Sequence, residues 1–267
     1  MRSLDELDTR LLNQIQTEVP LLERPFEAIA RQLDASEQEV LDRLTALKQL
    51  PRPVIRQISA IFDSKSLGYQ STLVAAKIDE SRIDEAAQII NQHPGVSHNY
   101  KRTHDYNLWY TLAVPPTSRL GLQGTVDLLH SRSGAVATRL MPTLRLFKIG
   151  VKFDVSGEAD LVSACTEPGG FTEAHRAQAM LHALTDDDQR MIRVLQQDLP
   201  LAAKPFDPWA EQAGVTPEQL LEAARSYLEQ KRMRRFSAVL RHREAGFSAN
   251  AMGVWAVPAD QAESFGQ

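Results

Sequence analysis

The run HPGVSHNYKRTHDYNLWYTLAV, residues 93–114, gathers His93, His98 and His104 with Lys101, Arg102, three tyrosines, Trp109 and Asn107. Imidazole can ligate a metal or carry a proton near neutral pH, guanidinium grips carboxylates bidentately, and aromatic rings stack on flat ligands. Alternate residues of a strand share a face. His98, Tyr100 and Arg102 are therefore expected to point one way, and Ser97, Asn99 and Lys101 the other. After a turn near Thr103 and His104, Tyr106, Leu108 and Tyr110 alternate with Asn107, Trp109 and Thr111. One sheet face should thus carry the trio beside residues of the returning strand. His93, before Pro-Gly, reads as a helix C-cap residue. His104 reads as a turn residue, and Trp109 is of a type that commonly fills cores. The trio is harder to explain as packing, because buried charge and imidazole need partners.

A second concentration runs from Arg234 and Arg235 into RHREAGFSANAM, residues 241–252. It places His242 between Arg241 and Arg243 at an expected hairpin bend, which suits an acidic ligand. Positive charge there would help keep carboxylates ionised. Absent are a Gly-rich phosphate loop, G-x-S-x-G, H-E-x-x-H and CxxC, so no nucleophilic triad and no organic cofactor is expected. The single Cys165 excludes an intramolecular disulfide and an all-cysteine metal cluster.

The elements that must position these residues are duplicated. LDELDTRLLNQIQTEVPLLERPFEAIARQL, from Leu4, returns as LTDDDQRMIRVLQQDLPLAAKPFDPWAEQA, from Leu184. A two-residue slip then aligns Ile55–Ala60 with Met233–Ala238, Arg56 with Arg234, and Arg241, His242 and Arg243 with Asp63, Ser64 and Lys65. Such internal repeats decide the fold before any local feature does. The spacing of Leu4, Leu7, Leu11, Leu12 and Ile15 is helical. A short helix over Phe26–Leu33 follows, then one started by Ser36 with Glu39 three residues later, as in a capping box. Together they predict a helix-turn-helix unit over 1–53, repeated over 184–232. From Val54 the pattern alternates. A hairpin bending near Gly68, a helix, two strands, a helix and a closing strand predict a ferredoxin-like sandwich over 54–153. Residues 154–183 read as a linker, and 233–267 as a partial second sandwich. The fold class is therefore α/β (α+β), in two modules with the second incomplete. The strands of that partial sandwich are expected to pair with the first module's sheet or with another chain, unless the 267 residues are a fragment of a longer protein.

Hydrophobic content of 43% and charged content of 24% are ordinary for a globular chain. No apolar run approaches a membrane span, and the charged N-terminus lacks a cleavage signal, so a cytoplasmic location is expected. The third helix of each unit is acidic: Glu37, Glu39 and Asp42 stand against Arg43 and Lys48, and Glu218, Glu222 and Glu229 against Arg225. With a net charge of −4, weak or absent DNA binding is expected despite the motif, because acidic residues release no counterions from phosphates.

A helix-turn-helix followed by a ferredoxin-like domain resembles the Lrp/AsnC regulators. The runs HPGVSHNYKRTHDYNLWYTL and MRRFSAVLRHREAGFSANAMGVWAVP resemble those of the siroheme (sirohaem) decarboxylases, AsnC-like proteins of denitrification-heme biosynthesis, here of the fused two-module type. The resemblance covers essentially the whole chain. It implies removal of carboxyl groups from siroheme acetate side chains to leave methyl groups, giving didecarboxysiroheme. Siroheme is then the substrate, and a second copy or a homologous subunit the partner. It implies His98, His242 and His104 as catalytic candidates, with His98 or His242 able to ligate the substrate iron; the protein holds no metal of its own. Tyr100, Arg102, Trp109, Arg56, Arg234, Arg235, Arg241 and Arg243 are the substrate-binding candidates. The second module carries no copy of the VSHNYKR run, so any histidine that run would supply is missing there. The competing expectation is an AsnC/Lrp-like regulator responding to a small ligand or heme.

Overall fold

The structure is a computed structural model and describes residues 4–143, 175, 176, 179, 183–241, 255–258 and 260–266. The chain divides into two compact units, residues 1–63 with 147–267, and residues 64–146. The boundary thus falls after the first strand rather than at the expected 53/54 junction.

The first unit holds both helix-turn-helix copies. Helix α1 (Glu6–Thr17) starts at Asp5, whose carboxylate forms a reciprocal capping box with Asp8; α2 spans Pro25–Gln32, with proline in its first turn, where no amide hydrogen is missed. Helix α3 (Glu37–Gln49) is capped by the Ser36 hydroxyl, which accepts from the Glu39 amide at 3.1 Å. The expected reciprocal half is not formed, because the Glu39 carboxylate turns to Arg43 instead. In the second copy, helices α6 (Asp186–Leu195) and α8 (Pro217–Glu229) carry complete boxes, Thr185 with Asp188 and Thr216 with Gln219, and α7 spans Asp207–Ala213. A buried aromatic cluster of Phe206, Trp209 and Phe236 anchors this copy, with ring centroids 5.7–6.3 Å apart.

Strand β1 (Ile55–Phe62) does not fold back onto the next strand as the expected hairpin. It pairs antiparallel with β6 (Met233–Leu240), the equivalent strand of the second copy. Ser59 lies opposite Ser237, its own counterpart in the repeat, with Ile58 opposite Ala238 and Ala60 opposite Phe236. A local twofold axis therefore passes through the serine pair, as in an isologous dimer interface built within one chain. The flanking hydrogen bonds obey it. The Val19 amide donates to Phe236 O and the Leu199 amide to Ile58 O; the Asp63 amide donates to Arg232 O and the Arg241 amide to Val54 O, all at 2.8 Å. The second-module strand β6 thus pairs with a strand of the first module, but not with its four-stranded sheet as expected.

The second unit is a four-stranded antiparallel sheet ordered β3-β4-β2-β5, made of β2 (Gln70–Lys77), β3 (Val96–Lys101), β4 (Leu108–Val114) and β5 (Ala137–Met141). With α4 (Ile83–Asn91) between β2 and β3, and α5 (Gly121–Ser133) between β4 and β5, the chain order is β-α-β-β-α-β and the topology ferredoxin-like. The helices cover one face, burying Val74, Ala76, Ile83, Ile90, Leu108, Tyr110, Leu112 and Val126. At the loop before β2, Gly68 has φ +80°, a left-handed conformation that a side chain disfavours. Among the described residues, no helix is long and apolar enough to cross a membrane.

Candidate functional site

The alternation that buries Tyr110 and Leu112 under the helices sends their neighbours to the opposite face. There the cross-strand register aligns Arg139 with Ala75, Ala75 with Trp109, and Trp109 with Tyr100. The adjacent row aligns Met141, Leu73, Thr111 and His98. Paired residues share a face, so His98 and Tyr100 lie together on a surface that α4 and α5 leave uncovered, and Trp109, whose type commonly fills cores, lies there with them.

Local hydrogen bonds fix these side chains. A bulge between Val96 and His98 inserts Ser97, and bulges re-aim side chains. The Ser97 hydroxyl bonds Thr111 Oγ1 at 2.8 Å and His98 Nδ1 at 3.0 Å, and the His98 amide donates to Thr111 Oγ1 at 3.1 Å. The His98 ring stacks on Tyr100, with centroids 6.1 Å apart and planes at 28°. The Arg102 guanidinium lies 4.9 Å from the Tyr100 ring centre, and its Nε is buried with no hydrogen-bond partner. Trp109 is half-buried, and its indole N–H donates to Tyr106 O at 2.8 Å.

Two further residues extend the row. Arg139 Nε donates to the Tyr106 hydroxyl at 2.8 Å, with its guanidinium 5.2 Å from that ring. Neither Arg102 nor Arg139 has a carboxylate partner among the described residues. The surface thus presents two tyrosine-backed guanidinium groups beside an imidazole and an indole. Sequence reading passed over Arg139, Ser97 and Thr111. The signal for Arg139 was its central place in ATRLM, flanked two residues either way by the outward Ala137 and Met141.

Other candidates are placed elsewhere. His104 is exposed in the β3–β4 turn, where its Nδ1 accepts from the Tyr106 amide at 3.0 Å and its ring stacks on Tyr106. His93 serves the turn after α4: its Nδ1 accepts from the Gly95 amide at 3.1 Å, and burial lowers its pKa. Burial pushes the Tyr110 hydroxyl up to about 12, in keeping with its place in the core. Arg56, Arg234, Arg235 and Arg241 belong to the β1–β6 ribbon of the first unit. Arg234 is engaged there, its guanidinium bonding the buried carboxylate of Asp63. His242 and Arg243 lie outside the described residues. Among the described residues, no group of three or more His, Cys, Asp or Glu could hold a metal ion.

The cations of the third helices are occupied. Arg43 bonds Asp5 at 2.6 Å, buried Asp8 at 2.8 Å and Glu39 at 3.1 Å. Lys48 pairs with Asp198 at 2.5 Å, and Arg225 donates to Leu21 O at 3.0 Å.

Among the described residues, two helix-turn-helix copies about a local dyad and a ferredoxin-like sandwich define a fused AsnC-like protein. A model described as the AsnC-like ligand binding domain matches residues 66–148, and one described as the Siroheme decarboxylase NirDL-like HTH domain matches 8–56 and 188–234. The Siroheme decarboxylase of Hydrogenobacter thermophilus is 39% identical over 258 residues, covering 97% of this chain and 73% of that protein. The Siroheme decarboxylase NirDL subunit of Paracoccus denitrificans is 30% identical, over 99% of this chain and 76% of its own length. The Siroheme decarboxylase alpha subunit of Desulfovibrio desulfuricans is 41% identical over 60% of this chain and 89% of its own. A crystal structure of the siroheme decarboxylase NirDL superposes with a TM-score of 0.72 at 33% identity, covering 98% of this chain and 72% of that one. Another, in co-complex with an iron-uroporphyrin III analogue, gives 0.71 at 32%, over 97% and 71%. The chain belongs to the siroheme decarboxylase family.

Proposed function

We propose that this chain acts as a carbon-carbon lyase that decarboxylates the acetate side chains of siroheme, with the uncovered sheet face of the second unit as its substrate platform. The observation that carries the reading is the row of Arg139, Trp109, Tyr100 and Arg102 beside His98. It suits a flat polycarboxylate: rings for the macrocycle and guanidinium groups without acid partners for its carboxylates. Loss of carbon dioxide from an acetate leaves an electron pair on the methylene carbon, which the conjugated macrocycle delocalises. A proton then completes the methyl group. The carboxylate and one proton balance the methyl and carbon dioxide, so no oxidant, reductant or added cofactor is needed. His98, oriented by Ser97 and Thr111, is the proposed proton donor or iron ligand. His242 is the second candidate, and His104 stands at the margin as a turn residue. The reading includes a second copy or a homologous subunit as partner. The decisive experiment is anaerobic incubation with siroheme, the product mass read for successive losses of carbon dioxide. Intact siroheme after incubation with the folded, partnered protein would overturn the reading.

The regulator alternative has one observation in its favour, the retained helix-turn-helix pair. Against it stand the occupied cations of α3 and α8. Fluorescence anisotropy against duplex DNA at modest salt is expected to give no nanomolar, salt-dependent binding.

A further inference from the structure

The bulges at the two ends of the β1–β6 ribbon are related by its local dyad, and the charges they aim are not. The pairing skips Arg234 at one end, between Ile61–Arg235 and Phe62–Met233, and skips Arg56 at the other, between Gln57–Val239 and Ile55–Leu240. Each arginine is therefore the bulged residue, directed by the same backbone device. At the first end, Arg234 reaches the carboxylate of Asp63, which is 2% exposed and also accepts from Arg176 Nε at 3.1 Å and Nη2 at 3.3 Å. At the second end the dyad equivalent of Asp63 is Arg241, as the matched amide bonds to Arg232 O and Val54 O establish.

A geometry that seats a carboxylate against a bulge arginine thus has, at its twin, Arg241 in the place of Asp63. Both Arg56 and Arg241 are exposed, and neither side chain makes a hydrogen bond or ion pair among the described residues. An anion between two such cations is attracted to both, and these interactions offset the repulsion between them. We propose that Arg56 and Arg241 form a binding site for a ligand carboxylate, which takes the place that Asp63 fills at the other end. Carboxylate is favoured over other anions because the twin shows this bulge accommodating one. The carboxylate comes either from an iron tetrapyrrole side chain or from a small free polycarboxylate. The dyad alone carries this assignment, which stands or falls separately from the decarboxylase reading.

The test uses the full chain, with tricarballylate and iron uroporphyrin III as probes. At matched ionic strength, tricarballylate is expected to raise the thermal unfolding midpoint of the parent above its value in chloride. Arg56→Gln should remove at least half of that increment. Arg241→Asp, which copies the Asp63 end, should remove it too while raising the midpoint in chloride. Iron uroporphyrin III affinity, followed by absorbance, separates the sources. Weakening of roughly tenfold or more in Arg241→Asp assigns the carboxylate to the macrocycle; unchanged affinity with the tricarballylate increment lost assigns a free polycarboxylate. The proposal is overturned if neither probe distinguishes the parent from both variants.

Discussion

Replacing Arg139 by glutamine separates binding from folding. In the free protein this exposed guanidinium stacks 5.2 Å from the Tyr106 ring and donates to its hydroxyl at 2.8 Å. An exposed cation–π contact contributes about 0.5–1 kcal/mol, and a glutamine amide can keep part of the hydrogen bond. The folding cost should therefore stay near 1 kcal/mol, a shift of a few degrees in the unfolding midpoint. In the complex, the same group would give a charge-assisted, two-pronged bond to a carboxylate, worth roughly 1.5–3 kcal/mol. That converts to a loss of affinity of about 10- to 150-fold. Titration of iron uroporphyrin III followed by absorbance measures it directly. Arg139→Lys should fall between parent and glutamine, because an ammonium keeps the charge and loses the fork. Affinity within twofold of the parent in Arg139→Gln would refute the platform assignment of this residue.

Other consequences follow from the same geometry. His98→Ala should lower siroheme turnover by roughly 10²- to 10⁴-fold, with loss of proton donation visible as altered pH dependence; unchanged turnover would remove His98 from the chemistry. Asp63→Asn leaves Arg234 and Arg176 beside a neutral amide, and breaking so buried a pair should cost about 3–5 kcal/mol in urea denaturation, against roughly 0.5 kcal/mol or less for Arg56→Gln at the equivalent exposed position. His93 has a folded pKa lowered by burial, so the folded state binds fewer protons than the unfolded one. The associated stability is fully present above the ordinary histidine pKa of about 6.5 and is lost as pH falls through the folded value. His93→Gln should flatten that acid limb, read by amide exchange at Gly95.

Much of this architecture was legible in the chain because it depends on local chemistry. Proline at the start of α2, Ser36 and Thr216 at helix starts, and the alternation of Leu108, Tyr110 and Leu112 are signals within a few residues of what they determine. The ferredoxin-like order and the shared face of His98 and Tyr100 follow from them. The partner of β1 was not legible. The segment SKSLGY reads as a hairpin turn, and no local pattern distinguishes a return onto β2 from pairing with a strand far along the chain. Only the repeat carried that information: a strand that meets its own counterpart at Ser59 and Ser237 pairs one edge of each copy. The same limit applied to Arg139, whose role comes from the order β3-β4-β2-β5 rather than from its neighbours in sequence. Glu39 shows a different case, where one sound local signal lost to another, Arg43 four residues on in the same helix.

The retained helix-turn-helix pair has a structural use that does not involve reading bases. Arg43 ties α3 to Asp5 and buried Asp8, Arg225 holds α8 to the Leu21 carbonyl of the other copy, and Lys48 reaches Asp198 across the repeat. Each of these third-helix cations is here spent on joining helices or copies. Releasing them toward DNA would leave Asp8 buried without its guanidinium partner, at a cost comparable to breaking other buried pairs. The scaffold and the reader therefore compete for the same side chains. Fusing two copies in one polypeptide also frees each end of the dyad to change independently, which a homodimer cannot do. Asp63 at one end and Arg241 at the other are the product of that freedom: one end closes on its own carboxylate, while the other retains a positive charge for a ligand.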